Sequence, residues 1–144
     1  MSEKKYKPQL IARESAIKIL YQMKMQDETL EIIMNGFIEK REYDASLLER
    51  ILSEYVENKD RIISLLDKKA EVSLENLPLL DECIIHLSVC EFLFINKSKN
   101  IVINEYINIA KKYSSPKMYT FLNKVLDNTP VSYTHLTLPT KSSG

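Results

Sequence analysis

Only two glycines, Gly36 and Gly144, occur in a chain of 144 residues. Tight hairpins, bulges and phosphate-cradling loops depend on glycine, because it alone reaches positive φ without a steric cost. Their scarcity argues against a β architecture and against any Gly-rich nucleotide loop. What remains is a chain whose apolar residues recur at three- and four-residue intervals nearly throughout, the spacing that keeps one stripe of a helix buried. The expected fold class is all-α, one domain over residues 1–130.

The helices can be placed from that spacing. A first helix is expected over about Gln9 to Gln26. Leu30, Ile33, Met34, Phe37 and Ile38 form the stripe of a second, with Thr29 or Asp27 as its cap. Leu47, Leu48, Ile51, Leu52, Tyr55 and Val56 follow behind an Asp44 cap, and Ile62, Ile63, Leu65 and Leu66 make a shorter fourth. Leu77-Pro78 interrupts, since proline disfavours helix at the residue before it. Ile84, Ile85, Leu87, Val89, Phe92, Leu93 and Phe94 then give a helix apolar on nearly every side, the signature of a central buried one. Ile101 to Tyr113 turns Ile103, Tyr106, Ile107 and Ala110 inward. Behind Ser115-Pro116, Met118, Phe121, Leu122, Val125 and Leu126 make the last, for about seven helices in all.

The stretch from Val131 to Thr140 shows no helical stripe and is rich in threonine. It reads like the conceptual translation of a sequencing adapter, so residues 131–144 are expected to be a non-native, disordered tail. His135 is set aside with it.

Composition bounds the function. Apolar residues make up 44% and charged residues 28%, an ordinary globular balance. No apolar run approaches the roughly 18 residues that span a bilayer, and no apolar core follows the basic start from Met1 to Lys7. No membrane association and a cytoplasmic location are expected. Cys83 and Cys90 stand seven residues apart in one helix, a rise of about 10 Å, beyond the reach of a disulfide. They read as buried apolar thiols, and no metal is expected. His86 lies on the nearly all-apolar helix and reads as a hydrogen-bonded structural histidine. With no acid and base placed together in a cleft, no catalytic residues and no cofactor are assigned, and binding is favoured over catalysis.

Formal net charge is zero, yet it is unevenly spread. Residues 1–26 carry six bases, Lys4, Lys5, Lys7, Arg13, Lys18 and Lys24, against two acids, while residues 27–67 carry eleven acids and five bases. A basic head precedes an acidic middle.

Four segments in order give a family resemblance. They are Ala12-Arg13-Glu14-Ser15-Ala16-Ile17-Lys18-Ile19-Leu20-Tyr21-Gln22, the run from Leu80 through Asp81 to Leu93, the pair Val102–Tyr106 and Ile109–Tyr113, and Phe121-Leu122-Asn123-Lys124-Val125-Leu126-Asp127. Together, over residues 9–128, they resemble the bacterial transcription antitermination factor NusB family. That resemblance implies two packed helical sub-bundles and no enzymatic activity. It implies binding of boxA-like single-stranded RNA with a small-subunit ribosomal protein (the NusE role), within the RNA polymerase antitermination complex on ribosomal RNA operons. Carried over by position, Lys4, Lys5, Lys7 and Arg13 would meet RNA phosphates. Lys117, Phe121 and Asn123 would lie near bases, and Asp81, Asn104 and Glu105 nearer the protein partner.

Plainer readings stand beside these. Core packing explains Phe121 equally well, Asn123 and Glu105 serve as helix caps or bridges, and Arg13 pairs within its own helix. The chain also departs from the family pattern, with Gln9, Leu10 and Ile11 where arginines usually stand, Thr120 in place of a basic residue, Lys124 in place of a small one and His86 where arginine is frequent. Two alternative functions remain open. One is the NusB-like RNA-binding domain of a ribosomal-RNA cytosine methyltransferase; the other is a helical protein-interaction module without RNA.

Overall fold

The computed structural model describes residues 2–69, 77–95, 98–113, 120 and 122–124, with the side chains of 2–6, 67–69 and 99 excepted. Five helices lie within them: α1 Ser2–Gln26, α2 Leu30–Asn35, α3 Ala45–Lys69, α4 Leu79–Phe94 and α5 Lys99–Tyr113. Helical backbone recurs at Thr120 and over 122–124, inside the span expected for the last helix. No strand occurs among the described residues. The expected tail, 131–144, and the Ser115-Pro116 cap lie outside them.

Both expected caps at the start of α2 and α3 are in place. The Thr29 hydroxyl accepts from the Ile32 amide at 3.3 Å, and the Asp44 carboxylate accepts from the Leu47 amide at 3.0 Å. Each satisfies a donor that the first helical turn leaves without an intrahelical partner. Helix α2 is shorter than its apolar spacing implies. It ends at Asn35, before Gly36, so Phe37 and Ile38 belong to the following loop. Ile38 is 81% exposed, whereas Phe37 is partly buried and packs edge-on against Tyr43.

Helix α3 unites two expected helices across a kink at Asn58, whose φ of −115° and ψ of 15° are not helical. The Asn58 side-chain amide donates to the Glu54 carbonyl at 2.8 Å, the acceptor an unbroken helix reserves for the Asn58 backbone N–H. The same amide donates to the Glu54 carboxylate at 3.1 Å. Around this bend Tyr55, Ile62, Leu65 and Leu66 turn inward, and Val56, expected inward from its spacing, is exposed.

Helices α1, α2 and α3 pack together as one set, and α4 and α5 as a second, with α4 closing against both α1 and α3. A single apolar core runs through both sets, from Ala12 and Leu20 to Tyr106, Ala110 and Leu122. Helix α4 is its centre, with every residue from Cys83 to Leu93 buried. On α5, Ile103, Tyr106, Ile107 and Ala110 face that core as expected. No helix of the described residues is long and apolar enough to cross a membrane.

Candidate nucleic-acid interface

A helix as apolar as α4 carries polar side chains only where partners meet them. Glu91, fully buried, is held by Arg13 of α1 through two parallel bonds: Nε donates to Oε1 at 2.9 Å and Nη2 to Oε2 at 2.6 Å. The Tyr106 hydroxyl of α5 donates to Glu91 Oε1 at 2.8 Å. Arg13 Nη1 also donates to Glu105 Oε1 at 3.4 Å. Burial opposes the guanidinium charge most strongly of any single cause, but Glu91, Tyr106 and Glu105 together outweigh it and hold the Arg13 pKa above its ordinary value. Three helices are thus tied at one fully paired ionic centre.

Arg13, expected as a direct phosphate contact, lies in the interior of the structure. Arg13 is only 4% exposed, and its fork is turned onto Glu91 rather than outward. Its partner is on another helix, so pairing within α1 does not describe it either. The cause is visible in α4. An acid buried among apolar neighbours in the last turn of α4 has to be matched by a cation, and Arg13 is the one that reaches it.

The other expected contacts fall into three groups. Lys7 is exposed on α1, Asn104 on α5, and Asn123 on the helical backbone over 122–124. Asp81 is buried in the first turn of α4, so it presents little surface to a partner, while Glu105 is half-buried and already meets Arg13. The side chains of Lys4 and Lys5, and residues Lys117 and Phe121 entirely, lie outside the described residues. The structure therefore brings Arg13 and Glu105 together and leaves Lys7, Asn104 and Asn123 on the surface.

A second polar cluster, which spacing did not single out, lies where the 36–44 loop meets α1 and α5. Its base is Glu14, a buried carboxylate. Lys112 Nζ donates to Glu14 Oε2 at 3.2 Å, and Arg41 Nη1 stands 3.8 Å from Oε1. Arg41 also forks onto Glu39, with Nε to Oε2 and Nη2 to Oε1 both at 2.8 Å. That fork, first of all, draws the Glu39 pKa down to about 2. The loop is fixed to α1 where the Asp44 amide donates to the Pro8 carbonyl at 3.0 Å. Single letters spread over 98 positions of sequence carry no sign of this meeting.

His86 behaves as a structural residue. Its Nδ1 lies 3.0 Å from the Tyr55 hydroxyl and its Nε2 4.0 Å from Glu82. Burial, with Lys24 nearby, lowers its pKa to about 4, so the ring is neutral at physiological pH. Cys83 and Cys90 are free and buried, and burial lifts the Cys83 thiol to about 12. Among the described residues, no group of three or more His, Cys, Asp or Glu is placed to hold a metal ion.

The comparisons with known proteins agree with one another. The NusB family model matches residues 10–130. The transcription antitermination protein NusB of Clostridium botulinum is 32% identical over 125 residues, spanning 82% of this chain and 94% of that protein. That of Macrococcus caseolyticus is 32% identical over 117 residues, spanning 80% and 90%. The solved structure of T. maritima NusB superposes with a TM-score of 0.71 at 30% identity, covering 83% of this chain and 88% of that one. The chain belongs to the NusB family.

Proposed function

We propose that this chain is a transcription antitermination factor that binds boxA-type single-stranded RNA together with a small-subunit ribosomal protein and carries out no catalysis. The observation that carries this reading is the family match along residues 10–130, joined to a fold of the same kind at a TM-score of 0.71. The distribution of charge supports it. The lysines at 4, 5 and 7 sit on the first turns of α1, where they supply phosphate contacts that need no base recognition. Asn123 is exposed and offers both a donor and an acceptor to a base edge. Lys117 and Phe121, in the same stretch, complete the base-facing set in this reading, and Asn104 with Glu105 faces the ribosomal protein. Arg13 has a different role in it. It fixes α1 against α4 and α5, so that the lysine-bearing turns project from a rigid base.

A gel shift with boxA-like RNA, run with and without the ribosomal protein, tests the proposal. Binding that the ribosomal protein strengthens is the expected result. Loss of RNA binding under both conditions, with the two proteins still associating, would leave a helical protein-interaction module instead.

A further inference from the structure

We propose that Arg41, Lys112 and Tyr113 form a contact surface for single-stranded RNA where the 36–44 loop meets the end of α5. This rests on the RNA-binding reading above and extends the interface beyond the residues named there.

Single-strand binding without strict sequence demand combines fixed cations with an aromatic face on which a base can stack. Both are present here. Glu14, 2% exposed, lies beneath two cations whose side chains are 45% and 57% exposed, Arg41 and Lys112. The buried carboxylate anchors Lys112 by a hydrogen bond and draws Arg41 to the same side, so part of the side-chain freedom that binding would cost is already spent. The Glu39 fork occupies Nε and Nη2 of Arg41, and Nη1 makes no contact with Glu14 closer than 3.8 Å. Lys112 spends one of its three N–H donors on Glu14. Each cation therefore keeps donors for a phosphate oxygen.

Tyr113 is the last residue of α5, next to Lys112, and it is 44% exposed. An exposed ring at the end of the helix that carries Lys112, with two cations anchored on one carboxylate, suits an unstacked base with its phosphates better than it suits an acidic protein segment, which has no use for the ring. The surface is also continuous with the basic start of α1. Lys7, Glu14 and Lys18 are separated by seven and four residues, so they share one face of the helix, and both lysines are exposed.

The test is a fluorescence-anisotropy titration of boxA-like RNA in the presence of the ribosomal protein, repeated across a salt series. Arg41→Gln and Lys112→Gln should each reduce the magnitude of the log–log salt slope by about 0.7, one single-strand phosphate contact apiece. Tyr113→Leu should weaken binding roughly 5- to 150-fold, the range for one lost stacked base, with the slope unchanged. Lys59→Gln, an exposed lysine on α3, should leave both quantities alone. The double variant Glu14→Gln/Lys112→Gln guards against a folding artefact: it removes the buried charge along with its partner and should still show the reduced slope. If the wild type binds and the three surface variants bind as it does, this surface is not an RNA contact while the functional reading stands. If they lose the ribosomal protein instead of RNA, the surface belongs to that partner and the proposal is overturned. If the wild type binds no RNA, the functional reading fails first and takes this one with it.

Discussion

Arg13 and Glu91 meet in the interior, where a charge without a partner is far more costly than the pair itself. Removing one side alone exposes that asymmetry. Arg13→Ala should lower stability by about 3–5 kcal/mol in urea unfolding followed by circular dichroism. The double change Arg13→Met/Glu91→Gln should recover most of it, since no buried charge is left and the glutamine carbonyl still accepts from Tyr106. Equal losses in the single and double variants would show that packing of the arginine stem, and not charge, carries the effect. His86 gives a second handle at this scale. Its folded pKa of about 4 lies below the usual 6.5, so between those values the unfolded chain binds the extra proton. Stability is then fully present above about pH 6.5 and falls as the pH drops toward 4, by about 3 kcal/mol in total. His86→Gln should flatten that window above about pH 5; below it the depressed Glu39 carboxyl, with an unfolded value of 4.5, adds its own loss. The buried histidine and the inert thiols were legible in the sequence because an apolar helix surrounds them. The partner of Arg13 was not, since Glu91 is 78 residues away and only folding brings the two together.

Helix α4 was the most legible element, because a run apolar on all sides can only be central. The capping residues were legible too, Asp44 outright and Thr29 as one of two candidates with Asp27, as capping is local chemistry within three residues. They are unequal in the structure, and stability measurements should resolve them. Asp44→Ala, at the head of the 25-residue α3, should cost about 1 kcal/mol. Thr29→Ala, on the exposed and six-residue α2, should cost measurably less. A larger loss at Thr29 would contradict the view that α2 adds little to the core beyond Ile33. The Asn58 bend was read from sequence as a break between two helices rather than as one bent helix. Spacing marks where a stripe changes direction, and it does not say whether the backbone stops there or merely turns. The 36–44 loop was the least legible part, since its position depends on Asp44 finding the Pro8 carbonyl and Arg41 finding Glu14, contacts that no periodicity encodes.

At the scale of the molecule, a formal charge of zero hides a basic first helix and an acidic middle. The fold keeps the basic part usable by turning its one arginine inward as a brace and leaving lysines such as Lys7 and Lys18 outside. In the proposed function, RNA affinity built this way comes largely from phosphates and falls with salt, so sequence preference has to come from base-facing groups and from the proposed protein partner. The most direct test of that account is the ratio of dissociation constants for boxA-like RNA and a shuffled RNA of the same composition. It should be measured at physiological salt with the ribosomal protein present. A clear preference for the boxA-like sequence, larger with the ribosomal protein than without it, is the predicted result. Equal affinity for the two RNAs under both conditions would contradict it.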